Sequence, residues 1–293
     1  IEYFMLFFMV SNNIHSKGQI KFFIIIFLVT CFLTCTYALA TVGPMGRATA
    51  PFEGPKGEPN TLGGYIVLLF AITVGLFLYS PSRTWQICCA ALGCYMFITL
   101  LQTLSRSSYI AFIPMYLTLV ALTRRKKVLL IGALILGVLI LPSRAPVKVI
   151  ERVAKTFVPG RVYEPLEGAR VPLDEAASAR IETWKSIFYK LKRRPLLGYG
   201  VAGLGLIDAQ YPRVLGETGI IGLLIFIWLM VRIFSNALEV HRAVKDDWER
   251  GLTLGFLAGF IGILVHSFGA GTFIIVRIME PFWFLAAVVV MLP

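Results

Sequence analysis

The stretch LSRSSYIAFIPMYLTLVALTRRKKVLLIGALILGVLI, residues 104–140, decides how this chain folds. Two apolar runs, at 109–123 and 128–142, flank the basic cluster TRRKK at 123–127. Runs of this kind approach the ~20 apolar residues a helix needs to cross roughly 30 Å of hydrocarbon. A short loop with Arg124, Arg125, Lys126 and Lys127 between two such runs belongs on the cytoplasmic side, because basic residues are retained there. Arg106, in the short connection SRSS at the far end of the first run, then faces outward, where that rule gives no reason for it.

Working outward, further apolar runs lie at 22–42, 62–80, 85–104, 214–233, 251–268 and 279–293, and residues 1–10 read as the tail of an earlier span. Of the 293 residues 57% are hydrophobic and 15% charged, with a mean hydropathy of +0.78. A soluble domain needs a far more polar surface, so the soluble class is excluded. The expectation is an all-α polytopic membrane protein with about eight transmembrane helices. It divides into an N-terminal part of the bundle (1–142), an external segment (143–213) and C-terminal helices (214–293). The chain opens at Ile1 inside one apolar run and closes inside another, and so reads as a fragment.

Alternation places 11–21, 81–84 and 234–250 on the cytoplasmic side, and 43–61, 105–108, 143–213 and 269–278 outside. Arg232, Arg242, Lys245 and Arg250 in the 232–250 region agree with that choice. The net charge of +12 calls for anionic lipid or a phosphate-bearing ligand, not for nucleic acid. Arg47, Arg106 and Arg277 all fall in short external connections. Each alone could snorkel to headgroups or pair with a carboxylate, as Arg277 could with Glu280 one turn on. Several together favour a shared anion such as a diphosphate, whose oxygens the guanidinium fork fits two at a time.

In the external segment, Ile181, Trp184, Ile187, Phe188 and Leu191 recur at helical spacing, and Pro195 stops that helix. The amphipathic helix either lies along the membrane surface or packs as a lid. Next, GYGVAGLG (198–205) matches G-x-G-x-x-G formally. A dinucleotide site needs a preceding strand in a βαβ unit, and here a basic amphipathic helix precedes and an apolar span follows, so that reading is rejected. Asp208, Arg213 and Glu217 lie just before or inside the start of the following span. Arg213 suits a phosphate. Glu217 suits either a helix N-terminus or, like Asp208, the role of base. The five cysteines all lie in apolar runs; Cys31 and Cys35 share a helix face with no His or carboxylate beside them, which reads as structural, not as a metal site.

Four segments carry a family resemblance. GRATAPFEGPKGEPNTLGGY (46–65) resembles the R-x-x-G…P-N-x-x-G/A stretch of the bacterial O-antigen ligase and polymerase family, and LSRSSY (104–109) its S-R motif. RIETWKSIFYKLKRRPLLGYG…AQYPRVLGETGIIG (180–222) is similar to the family's external loop, and HSFGAGTFIIVRIMEPFWFL (266–285) to the closing segment of some members. The resemblance implies a glycosyltransferase of the inner membrane. Such an enzyme moves a glycan from polyprenyl diphosphate to a glycan or lipid acceptor on the outer face, without metal or other cofactor. It further implies that Arg106, with Arg213, Arg180 and Arg47, holds the diphosphate, and that Glu217 or Asp208 takes the acceptor proton. One departure matters: ligases carry a loop histidine, whereas this sequence has Asp208-Ala209-Gln210, and its histidines are His15, His241 and His266. His266, near the outer end of its span, and Arg277 are accessory candidates. A transporter or flippase of lipid-linked glycans is the alternative, expected to show internal repeats and broken helices.

Overall fold

The computed structural model describes residues 2–43, 46–51, 53, 57–144, 150, 161–163, 171–173, 175–205 and 207–292. Ten α-helices are described: α1 (Glu2–Asn13), α2 (Lys17–Thr41), α3 (Pro59–Tyr79), α4 (Arg83–Gln102), α5 (Arg106–Leu122), α6 (Lys127–Arg144), α7 (Glu175–Leu191), α8 (Gln210–Ala243), α9 (Asp247–His266) and α10 (Val276–Val290). A 3-10 turn, Thr272–Ile274, leads into α10. The expected all-α class holds except for one two-stranded antiparallel ribbon, β1 (Arg161–Tyr163) and β2 (Val171–Leu173), in which Val162 pairs with Pro172. Valine and tyrosine favour extended backbone.

Each expected span falls on a helix, but five of the described helices, not eight, are long and apolar enough to cross a bilayer: α2, α3, α4, α8 and α9. The difference is one of length among the described residues. With 17 and 15 residues, α5 and α10 reach roughly 25 and 22 Å at 1.5 Å per residue, short of ~30 Å, and Pro114 and Pro281 interrupt them. For α6, the stretch whose side chains are described, Lys127–Leu139, is shorter than a span.

Local signals explain where helices start. Ser16 Oγ accepts from Gln19 N–H at 3.2 Å, and Gln19 Oε1 accepts from Ser16 N–H at 3.2 Å, a reciprocal box that opens α2. Pro59, whose missing N–H costs nothing at a first helical position, opens α3. Asp246 opens α9 by accepting from the N–H groups of Trp248 (2.9 Å) and Glu249 (3.1 Å).

The chain forms two compact units. The first comprises Ile1–Ala133, Met230–His266 and Thr272–Pro293, and centres on α3 and α9. Gly251, Gly255 and Gly259 recur every fourth residue along α9. A methyl group at Gly255 would lie 2.6 Å from Ile72 Cα, and one at Gly75 would strike the Gly251 carbonyl, so only glycine lets the two backbones come this close. Phe256, Phe260 and Phe282 fill the same core with tilted ring contacts.

The first unit has two ends. At one, Lys17 pairs with Glu249 (2.5 Å), Arg125 with Asp247 (2.7 Å), and Arg124 N–H donates to Tyr79 OH (3.2 Å). These contacts join parts of the segments 11–21, 123–127 and 234–250, all expected on one side. At the other, Ala48 N–H donates to the Gln102 carbonyl (2.9 Å), and Arg277 donates to the Pro51 carbonyl (2.7 Å).

The second unit comprises Leu134–Leu229 and Ser267–Gly271. In it Ile187 and Leu191 of α7 pack on Ile207 and Leu215, with Leu204 and Leu223 against them. One face of the amphipathic helix is thus packed on the segment that follows it. Phe188, expected on its buried face, is exposed and stacks on Trp184 with ring centroids 5.6 Å apart.

Candidate functional site: a buried hydroxyl–imidazole chain beside three arginines

After Gln102, α4 cannot run directly into α5. The chain turns through Thr103 and Leu104, whose φ of 51° is a left-handed conformation, before Ser105 starts α5. Three devices hold that costly turn. Thr103 Oγ1 accepts from Ser105 N–H at 3.2 Å. Ser105 Oγ accepts from Ser108 N–H at 3.3 Å. Arg47 donates through Nε to the Thr103 carbonyl (3.0 Å) and through Nη2 to the Leu104 carbonyl (3.2 Å). These carbonyls have no partner within the helix, and Arg47 supplies one. Arg106 follows as the first residue of α5, half-buried.

Behind Arg106, a line of polar side chains runs into the protein. Ser105 Oγ donates to Asn60 Oδ1 (2.7 Å) and lies 3.2 Å from Ser107 Oγ. Ser108 Oγ donates to Ser105 Oγ (2.7 Å) and lies 3.2 Å from His266 Nε2. His266 Nδ1 lies 2.8 Å from Thr272 Oγ1. Ser105, Ser108, His266 and Thr272 have no solvent exposure. With the Ser108 hydroxyl donating to Ser105, its oxygen can accept from an Nε2–H of His266, and in that tautomer Nδ1 accepts from Thr272. The polar side chains thus run in one line from Thr272 through His266, Ser108 and Ser105 to Asn60.

Glycines on α3 make room for it. A methyl group at Gly63 would collide with Ser108 Oγ, and one at Gly64 would lie 3.1 Å from His266 Cε1 and 2.7 Å from Ile278 Cδ1. The pair Gly63-Gly64 is thus the floor on which Ser108 and His266 meet.

Arg277 completes this end. Its Nη1 lies 3.2 Å from Glu53 Oε1, an ion pair without hydrogen-bond alignment, and donates to the Pro51 carbonyl. The expected neighbour Glu280 is exposed, and Glu53 takes the pairing because Pro51 and Glu53 lie over α10's start. Glu53 Oε2 accepts from the N–H groups of Glu58 (2.8 Å) and Ala50 (3.1 Å). Burial pushes the Glu53 carboxyl above its usual range, against the opposing pull of those N–H groups and of Arg277.

The remaining expected site residues lie in the second unit. There α8 breaks at Gly219, whose φ is +68°. The loop 195–200 stitches the break: Tyr199 and Gly200 N–H donate to the carbonyls of Gly216 and Glu217 (both 2.9 Å), while Ile220 N–H donates to the Pro195 carbonyl (2.9 Å) and Ile221 N–H to the Leu196 carbonyl (3.3 Å). The stretches PLLGYG and ETGIIG, separate in sequence, are thus one backbone structure. Glu217 is buried inside it, accepting from Ala202 N–H (3.1 Å) and pairing with Arg213 (3.2 Å). Asp208 is exposed, and Arg180 is half-buried on α7.

The structure therefore brings Arg47 and Arg106 to one turn and places His266 behind them, while Arg213 and Glu217 form a pair of their own. No group of three or more His, Cys, Asp or Glu side chains among the described residues is placed to hold a metal ion. Cys31 and Cys35 are buried together on α2. Asn60, Ser105, Ser108, Thr272 and Glu53 were not singled out from sequence. The signal that could have found Asn60, Ser105 and Ser108 is the pair of short polar insertions, PN at 59–60 and SRSS at 105–108, each at the mouth of an apolar run. Comparison with protein-family models and with curated proteins gives no match.

Proposed function

We propose that this protein is a glycosyltransferase that moves a glycan from a polyprenyl-diphosphate carrier to a glycan or lipid acceptor at the outer face of a bacterial inner membrane, in the synthesis of a surface polysaccharide such as lipopolysaccharide O-antigen or an exopolysaccharide. The observation that carries this reading is the turn Thr103–Arg106. It holds Arg47 and Arg106 together at the end of the first unit away from the TRRKK loop, backed by a buried, hydrogen-bonded polar chain. In the reaction, the acceptor oxygen bonds to the anomeric carbon, the bond from that carbon to the diphosphate breaks, and the electron pair leaves with the phosphate. A guanidinium fixed in a low-dielectric site stabilises that developing charge with no reorganisation at the moment of transfer.

Within this reading, Arg106 holds the diphosphate and Arg47 sets the turn that aims it. His266, with both ring nitrogens engaged and no exposure, supports the helix that bears Arg106 and does not meet substrate. Of the two carboxylates considered as base, Glu217 is engaged by Arg213 and Ala202, whereas Asp208 is exposed and open to a hydroxyl acceptor.

The test uses protein in liposomes with a labelled polyprenyl-diphosphate oligosaccharide and candidate acceptors. The label leaves the lipid with wild-type protein and stays with Arg106→Ala. A ladder of products marks a polymerase, and one shifted acceptor marks a ligase. Label that never leaves its carrier overturns transfer. A second reading, transport of the same lipid-linked glycan, draws on the break in α8 at Gly219, since interrupted helices recur where transporters bind their cargo. It predicts carrier crossing the bilayer with its glycan intact.

A further inference from the structure

The opposite end of the first unit holds a cavity of about 540 Å³ that the proposed transfer does not use. It lies where α2 and α4 diverge. Ile24, Ile25 and Leu28 of α2 form one wall, Trp85 and Cys89 of α4 another, and Leu76 of α3 lines it from the core. The volume lies within the roughly 300–1,000 Å³ of small-molecule sites. Its interior is hydrocarbon. Its mouth is different: Lys21, Lys245, Trp248 and the hydroxyl residues Ser80 and Ser82 gather there.

The charges at the mouth leave a positive balance. Asp246, which accepts from the N–H groups of Trp248 and Glu249, and Asp247 also line it, but Asp247 is paired with Arg125 at 2.7 Å, so Lys21, Lys245 and Arg125 outnumber the two aspartates. Lys21 lies over the Trp248 ring, 5.4 Å from its centroid, which orders the cation without neutralising it. Both lysines are exposed. An apolar wedge with tryptophans and two cations at its rim matches one molecule: an acyl chain joined to an anionic headgroup.

We infer that this wedge is a binding site for an anionic phospholipid, with an acyl chain between α2 and α4 and the phosphate against Lys21 and Lys245. The occupant commits to the lipid because the apolar walls give a free phosphate nothing to bury. The site is independent of the glycan-transfer reading and lies at the opposite end of the unit from Arg106.

The test reads tryptophan fluorescence of the protein in neutral detergent, titrated with brominated phosphatidylglycerol or with brominated phosphatidylcholine of the same chains. Bromine quenches rings it touches, and the Trp85→Phe and Trp248→Phe variants identify their share of the signal. Phosphatidylglycerol quenches that share at the lower concentration. Lys21→Glu with Lys245→Glu weakens its apparent affinity on the order of 10- to 30-fold. Ile25→Trp, which fills the wedge from an exposed position, removes phosphatidylglycerol binding at the site while leaving both lysines in place. Equal quenching by the two lipids overturns the inference, and so does displacement of the lipid by inorganic phosphate alone, which would assign the site to a free anion.

Discussion

Ser108 Oγ and His266 Nε2 lie 3.2 Å apart although 158 positions separate them in sequence, and both are fully buried. The contact ties the start of α5 to the end of α9 directly over two glycines of α3. Arg106, two residues before Ser108, takes its position from this bond and its neighbours.

Removing the imidazole leaves Ser108 and Thr272 each short of a partner in a buried site. His266→Ala is expected to lower stability on the order of 1–3 kcal/mol for each group left unsatisfied. His266→Gln, which restores an amide donor and acceptor, is expected to recover part of it. Thermal unfolding in detergent reads both. Equal unfolding midpoints for wild type and His266→Ala would show that the chain contributes nothing.

Gly63→Ala is expected to destabilise by about 1–3 kcal/mol, because its methyl group meets Ser108 in a packed interior. Gly132→Ala is the control, since nothing lies within 4 Å of its added methyl and alanine is the better helix former. It should match or exceed wild type in the same unfolding measurement.

Arg47 and Arg106 are expected to separate by role. Arg47→Ala uncaps the Thr103 and Leu104 carbonyls and should lower both the unfolding midpoint and glycan release. Lysine restores only part of the loss, because the two acceptors are met by a fork. Arg106→Ala should abolish release, where Arg47→Ala only lowers it. Identical behaviour of the two variants in both assays would remove the distinction.

Gly219→Ala should be among the most damaging single changes, since its methyl would strike the Leu196 carbonyl and its φ of +68° suits only glycine. Gly200 has a φ of +83° with open space around it, so Gly200→Ala should cost only the conformational strain, about 1–2 kcal/mol. Comparing the yield and unfolding midpoint of the two variants separates packing from backbone strain.

Glu53 gives a pH dependence. Its folded value is raised, so from the ordinary carboxylate range up to that raised value the folded protein binds more protons than the unfolded chain. Stability therefore falls as pH rises through this window. Glu53→Gln should flatten that slope, and unfolding midpoints measured in steps from pH 4 upward, about the ordinary carboxylate value, would expose an unchanged slope.

Much of the architecture follows from one-dimensional information. The TRRKK loop, the apolar runs and Pro59 are local signals, and local hydrogen bonding and hydrophobicity are enough to start, stop and locate helices. For the same reason the position of α7 was readable from its periodicity, but the outward turn of Phe188 was not, since that depends on which side the second unit packs. Five of the eight expected spans meet the length and hydropathy for crossing among the described residues, and apolar runs alone do not show that Pro114 and Pro281 fall inside two of the shorter helices.

By itself, the sequence determined a helical membrane protein, its basic end, and the presence of arginines where no topology rule requires them. Tertiary structure decided what those arginines do. Arg47 became a cap, Arg277 a partner of Glu53 instead of Glu280, and Arg213 a partner of Glu217. His266, a lone histidine in its span, became the middle of a chain from Thr272 to Asn60. The physical reason is that a hydrogen bond needs its two atoms within about 3 Å. Only the close approach permitted at Gly63 and Gly64 brings α3, α5 and α9 near enough for that.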